Sequence, residues 1–295
     1  MIPAKPDQIT ANMKAATLIE SLGWLRQFHG KVVVIKFGGN AMVDAELKKT
    51  FAEDVAYLRY VGIKPVVVHG GGPQITAKLK ELGIESEFRH GFRYTDEVSI
   101  QVVREVLRNE ISQELAELIE QAGALAAVMS GEDENLFKAE IVKAKTPDGE
   151  VDLGLVGEVR TVNPGIALRA IESGKVPVVS TVAPTVTGQL LNVNADLAAS
   201  SLAVALGAEK LMVLTDVPGL YANWPDTDSL VSEISSDELR QMLSQLESGM
   251  IPKMQACLAA VDGGVGSAHI IDGRTPHSIL LEIFTEAGVG TLVTK

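Results

Sequence analysis

A chain of 295 residues with 46% apolar and 22% charged side chains has the composition of a globular protein rather than a disordered one. Its formal net charge of -12 argues against an extended nucleic-acid-binding face, so a polyanion would need a local pocket of Lys, Arg and backbone N–H groups. The single cysteine, Cys257, excludes an internal disulfide and a Cys-rich metal site, and no apolar run approaches the ~20 residues that span a bilayer.

In chain order, the N-terminus carries Asp7 and Glu20 and no uninterrupted apolar core, unlike a signal peptide, so a cytoplasmic location is expected. Leu18, Leu22, Leu25 and Phe28 then form a helical stripe with Trp24 beside it. That stripe packs either on the chain's own core or against another subunit. Residues 32–37 read as a buried strand ending in Lys36-Phe37-Gly38-Gly39. Leu47, Phe51, Val55 and Leu58 mark a helix that stops at Gly62, and residues 65–69 form a second strand ending in Gly70-Gly71-Gly72. A helix is expected to bury Ile75, Leu79 and Leu82 and to end at Gly83. A long helix over 96–121 is expected to turn Val98, Val102, Val106 and Leu115 inward.

Residues 124–162 read as antiparallel strands broken at Thr146-Pro147-Asp148-Gly149. Asn163-Pro164 opens a helix that ends near Gly174, and residues 176–180 are another buried strand. A helix over 195–206 leads to the strand 210–215 and the turn Asp216-Val217-Pro218-Gly219. Cys257 lies among Ile251, Met254, Leu258 and Val261 at helical spacing, which suits packing rather than nucleophilic chemistry. Strands alternating with helices imply α/β architecture with a mostly parallel sheet, as one large unit or two lobes sharing that sheet.

Two glycine-rich turns sit at strand ends, where backbone N–H groups and helix N-termini can hold an anion. Neither matches the Walker loop or the dinucleotide fingerprint, and a plain β-α connection remains the alternative. Lys36 either reaches solvent or points into the crevice, and the glycines directly after it favour the crevice. In Asn192-Val193-Asn194-Ala195-Asp196, one residue suffices to cap the following helix, which leaves polar groups over. In Ser248-Gly249-Met250-Ile251-Pro252-Lys253, Pro252 suits a helix start and puts Lys253 in its first turn, against the helix dipole. A cation there suggests an anionic partner, with a solvated surface lysine as the alternative. His69 and His90 are placed where a base could stand, yet both read more simply as structural hydrogen bonders.

Val34-Ile35-Lys36-Phe37-Gly38-Gly39, His69-Gly70-Gly71-Gly72-Pro73, Arg89-His90-Gly91-Phe92-Arg93-Tyr94-Thr95, the Asn192–Asp196 run, Leu214-Thr215-Asp216-Val217-Pro218-Gly219 and Gly249-Met250-Ile251-Pro252-Lys253 together resemble the amino-acid kinase family. Within it they are similar to the acetylglutamate kinases, in the family's order over about residues 30–295. The resemblance implies an open three-layer α/β/α sandwich with an N-terminal extension helix. It implies an oligomerisation helix over 1–30, an acetylglutamate-binding and dimerising lobe over 31–184, and a lobe over 185–295 for ATP and arginine. The implied reaction is ATP-dependent phosphorylation of the side-chain carboxylate of N-acetyl-L-glutamate, in arginine biosynthesis.

By resemblance Lys36, Lys253 and Asp196 are catalytic, and Gly71, Gly72, Arg93 and Asn192 bind the substrate. Gly38, Gly39, Thr215, Asp216 and Gly219 serve the phosphates and nucleotide, with Mg²⁺ arriving on ATP. Arginine-inhibited members carry an interlaced N-terminal helix that makes a hexamer, a trimer of dimers. They also carry a segment like His269-Ile270-Ile271-Asp272-Gly273-Arg274 followed by Glu282 and Gly288. L-arginine is therefore expected as an inhibitor, at Trp24, Lys210, His269, Glu282 and Gly288. The family usually has Pro-Tyr where this chain has Gly23-Trp24. Competing readings are another carboxylate, carbamate or phosphate kinase of this fold, or a catalytically silent amino-acid sensor; retention of Lys36, Lys253 and Asp196 weighs against the sensor.

Overall fold

The computed structural model describes residues 8–146, 149–247, 249–285 and 288–295. Asp7, the turn centre Pro147-Asp148 and Ser248, all used in the sequence reading, lie outside the described residues. The apolar runs assemble into one eight-stranded sheet. Its order is Glu233–Ser235, Thr291–Thr294, Ser267–Asp272, Lys210–Thr215, Val32–Phe37, Lys64–His69, Val176–Ser180 and Ala126–Ser130. Neighbours are parallel except Ser267–Asp272 with Thr291–Thr294. Strands before and after residue 185 therefore share a single ladder, joined where Val33 pairs with Lys210 and Lys36 with Val213.

A strand buried on both faces needs apolar side chains at every position, and alternation sends them to opposite layers. Val33, Ile35 and Phe37 meet the helices Ala45–Tyr60, Glu97–Glu105 and Ser112–Gln121. Phe37 stacks on Phe51 with ring centroids 3.9 Å apart. Val34 meets the other layer, formed by Ala195–Ala205 and Ile251–Asp262, where Leu202, Met254 and Cys257 are buried. Helix starts follow local chemistry: Asp44 accepts from the Leu47 N–H, and Ser235 with Glu238 forms a capping box.

Four sequence expectations change. Leu82, expected to be buried with Ile75 and Leu79, is the C-cap of Gly72–Glu81 and stands 53% exposed. The helix over 96–121 is divided by a π-helical segment, Val106–Ile111, between Glu97–Glu105 and Ser112–Gln121. Val98 is 59% exposed rather than inward. The buried face begins at Ile100 and Val103, and Val98 lies two residues, hence about 200°, from Ile100 around the helix. Ala126–Ser130 is not antiparallel; it follows a crossover helix and so returns parallel to Val176–Ser180. The antiparallel reading holds for Phe137–Thr146 with Gly149–Val162, which join Leu190–Val193 and Val182–Pro184 in a second sheet.

The N-terminal helix, Gln8–Phe28, satisfies both readings of its stripe in part. Phe28 is buried and Trp24 and Leu25 pack on the core, whereas Leu18 and Leu22, with Ile9, Met13 and Ile19, stand exposed.

Candidate active site

Lys36 stands one pleat beyond Val34, and so under the layer that carries Asp196 and Lys253. The Lys36 Nζ lies 2.9 Å from Asp196 Oδ1, and the Lys253 Nζ lies 3.3 Å from Oδ2. Lys36 and Asp196 are buried. Burial raises the Asp196 pKa, but the charges and hydrogen bonds of both lysines outweigh it and hold the carboxyl below its usual range. Asn194 is the helix cap, its Oδ1 accepting from the N–H groups of Asp196 and Leu197. Asp196 is thereby free for the lysines. Two ammonium groups share one carboxylate, which leaves positive charge to spare at the sheet edge.

The turn after Lys36 is shaped by close approach. The lysine ammonium folds back over Gly38, into space that any Cβ there would fill. Gly39 has φ +77, and a Cβ on it would lie 2.5 Å from the Asp216 carboxylate. Asp216 Oδ1 accepts the Asn40 N–H at 2.8 Å, tying this turn to the end of Lys210–Thr215. Thr215 is buried and its carbonyl accepts the Gly273 N–H. Beside Gly219, the Leu220 N–H donates to Thr291 Oγ1. From Val217 a cleft of about 330 Å³ opens, lined by Leu220, Tyr221, Trp224, Leu246 and Met250. Tyr221 and Trp224 hold their rings 5.3 Å apart. The sequence reading stopped at Gly219 and missed them; an aromatic pair directly after the turn, Tyr221-Ala222-Asn223-Trp224, was the available signal.

A smaller cleft of about 180 Å³ gathers Gly71, Gly72, Arg93, Leu107 and Asn192. Arg93 is buried, and burial lowers its pKa. It donates to the Gly72 carbonyl at 3.0 Å, to Thr76 Oγ1 at 2.7 Å and to Ser86. Asn192 donates to Thr95 Oγ1 at 3.2 Å. Leu107, also missed, reaches the cleft from the π segment.

The remaining five sequence candidates meet elsewhere. Trp24, Lys210, His269, Glu282 and Gly288 line one pocket of about 500 Å³. Lys210 begins the strand whose other end is Thr215, so this pocket lies toward the opposite sheet edge. Glu282 contacts His269 and accepts the Val289 N–H at 2.8 Å. Burial raises the Glu282 pKa, yet His269, the Val289 amide and Lys210 together hold it below its usual value. Burial lowers His269, and it pushes Lys210 down to about 8 against the charges of Glu282 and Glu209. Among the described residues no three His, Cys, Asp or Glu side chains cluster as metal ligands.

The sequence profile of the Amino acid kinase family matches residues 31–272. Acetylglutamate kinase of Clavibacter michiganensis subsp. michiganensis is 61% identical over 292 residues, covering 98% of this chain and 96% of its own. Acetylglutamate kinase of Leifsonia xyli subsp. xyli is 58% identical over 290 residues, covering 97% and 96%. Among solved structures, N-acetylglutamate synthase from Neisseria gonorrhoeae, complexed with coenzyme A and L-arginine, superposes with a TM-score of 0.77 at 25% identity. That match covers 95% of this chain and 65% of the synthase chain, which is the longer of the two.

Lys210 sets a pH signature. A lysine whose folded pKa lies below its unfolded value binds fewer protons when folded, so stability rises as pH climbs between the two values. The window runs from about 8 to 10.5. In urea unfolding, the wild type should gain roughly 3 kcal/mol relative to Lys210→Met across that window. Equal pH dependence in both proteins would exclude the buried, depressed lysine.

Proposed function

Because the chain belongs to the amino acid kinase family, as a phosphotransferase that phosphorylates N-acetylglutamate in arginine biosynthesis, we propose the following assignment of its residues. The buried Lys36–Asp196–Lys253 bridge between two glycine turns is the observation that carries the reading. The side-chain carboxylate of N-acetyl-L-glutamate attacks the γ-phosphorus of ATP. A new P–O bond forms, the bond to the β-phosphate oxygen breaks, and ADP leaves with those electrons. The carboxylate is already ionised at neutral pH, so no general base is needed. Alignment and charge neutralisation remain for the protein to supply.

In this proposal Lys36 stabilises the transferring phosphoryl group and Lys253 the leaving side, while Asp196 fixes both ammonium groups. The N–H groups of Gly39 and Gly71 meet phosphoryl oxygens, with Gly38 making room for Lys36. Arg93 and Asn192 bind the α-carboxylate and amide of acetylglutamate in the cleft walled by Gly71 and Gly72. Three of the five Arg93 N–H donors are committed to Gly72, Thr76 and Ser86, so the α-carboxylate takes the others or displaces Thr76. Thr215, Asp216 and Gly219 flank the triphosphate, and Tyr221 and Trp224 offer an apolar seat for the adenine. Mg²⁺ arriving with ATP would neutralise phosphate charge. Both Asp196 oxygens face lysines and Asp216 Oδ1 holds the Asn40 N–H, so phosphate oxygens and water suit the ion better than this chain does. The 31–184 lobe then serves acetylglutamate, with Asn192 reaching in from 185–295, the lobe that serves ATP.

The proposal extends to regulation. The pocket of Trp24, Lys210, His269, Glu282 and Gly288 presents a carboxylate below its usual pKa, fit for a guanidinium or ammonium group. L-arginine is its proposed inhibitor, a reading supported by the arginine complex of the structurally similar synthase. The exposed Ile9, Met13, Leu18, Ile19 and Leu22 suit burial against other copies of the chain, in a hexamer built as a trimer of dimers. Among the described residues no helix is long and apolar enough to cross a membrane, and the cytoplasm is the proposed location.

Purified protein with Mg-ATP should release ADP when N-acetyl-L-glutamate is added, far less with aspartate, carbamate or UMP, and hydroxylamine should trap a hydroxamate. Turnover with another acceptor alone would refute the substrate. Lys36→Ala and Lys253→Ala should each lower kcat about a hundredfold, the ~3 kcal/mol typical of a lost transition-state donor. Arg93→Ala should act mainly on the KM for acetylglutamate. Near-normal kcat without Lys36 would contradict its role. Deleting residues 1–28 should leave an active dimer with most arginine inhibition gone; light scattering showing an intact hexamer, or undiminished inhibition, would sink that part.

A further inference from the structure

His69 ends the strand Lys64–His69 with no exposed surface, directly before the glycines of the acetylglutamate cleft. Its ring spans two partners. The Nδ1 lies 2.9 Å from the Gly70 carbonyl oxygen, and the Nε2 lies 2.6 Å from Ser112 Oγ. Burial pushes the imidazole down to about 4, so at neutral pH the ring carries a single proton.

The position of that proton follows from the neighbours. A carbonyl oxygen can only accept, so Nδ1 must hold the hydrogen. Nε2 is then a lone-pair acceptor, and the Ser112 hydroxyl donates to it. Ser112 Oγ also lies 2.9 Å from the Leu107 carbonyl, which would compete for the same hydrogen. The Leu107 carbonyl accepts the Ser112 backbone N–H and is satisfied without the hydroxyl, whereas Nε2 has no partner but Ser112 Oγ. Every group in the relay is satisfied in one tautomer only.

The consequence lies in the Gly70–Gly71 peptide. A peptide between two glycines has little steric preference and can rotate as a unit. A trans peptide is planar, with its N–H opposed to its carbonyl. A carbonyl drawn toward the buried ring therefore turns the Gly71 N–H the other way, toward the cleft that Gly70 and Gly71 both line. We propose that His69 is a positioning residue whose Nδ1–H, fixed by Ser112, holds the Gly70 carbonyl inward and so aims the Gly71 N–H at the transferring phosphoryl group. This rests on the role given above to the Gly71 N–H.

Asparagine can place an N–H donor where Nδ1 stands; glutamine reaches only the Nε2 position. His69→Asn should keep kcat within about threefold of wild type, and His69→Gln should lower it about 10- to 100-fold, below the full loss of an oxyanion donor. The KM for acetylglutamate should move less than about threefold in both, with the Gln-to-wild-type ratio constant between about pH 6 and pH 9. Equal losses in Asn and Gln, or a ratio that changes with pH as for a general base, would overturn the proposal. Nitrogen-15 NMR of the full, histidine-labelled chain reads the tautomer without substrate or mutation. A neutral His69 with its proton on Nδ1 is expected; a proton on Nε2, or a charged ring at neutral pH, counts against the role. A wild type with the expected tautomer that leaves acetylglutamate untouched supports the relay and faults the proposed reaction instead.

Discussion

One buried carboxylate facing two ammonium groups is the constraint around which the rest is arranged. Burying the charges of Lys36 and Asp196 is costly, and burial alone would push the Asp196 carboxyl toward its neutral form. Asp196 keeps its charge because Lys36 and Lys253 approach from two sides. The arrangement neutralises only one of the two cations. The uncompensated charge is a standing attraction for an anion, and it explains how a chain with net charge -12 can hold a polyanion at all.

The three side chains come from distant parts of the sequence, and the sheet brings them together. Parallel strands align their C-terminal ends, so the turns after Phe37, His69 and Thr215 open on the same edge. Pleating then selects the face. Ile35 and Phe37 go to one layer, while Val34 and Lys36 go to the layer holding Asp196 and Lys253. A one-residue slip of Val32–Phe37 would drive the lysine among Phe51, Leu58 and Val103, where no carboxylate answers it. Placement of the ion bridge and core packing are thus specified by the same register.

Legibility followed the range of the interactions. Period-two and helical stripes are local, and the strands and most helices were readable from them. Lys36 was readable because a lysine ending an apolar strand is anomalous, and the surplus polar groups of Asn192–Asp196 resolved into Asn194 as cap and Asp196 as ion-pair partner. The orientation of Ala126–Ser130 was not readable, since direction depends on the partner strand. Nor was the π segment: one additional residue per turn rotates Leu107 into the cleft without any mark in composition. Tyr221 and Trp224 escaped because their exposure depends on a loop whose walls, Leu246 and Met250, come from later in the chain.

Cys257 gives the molecule a built-in reporter. It is the sole thiol, fully buried in the helix that begins at Lys253's turn, and packed in the layer shared with Asp196's helix. Burial raises its pKa, the negative charge of Asp196 adds to this, and Lys253 opposes it only in part. Reaction with an alkylating reagent therefore requires the layer to open and the thiol to meet water. Labelling kinetics of the unmodified chain thus measure how often the roof over the ion bridge lifts, and any ligand that tightens that bridge slows the chemistry of a sulfur it never touches.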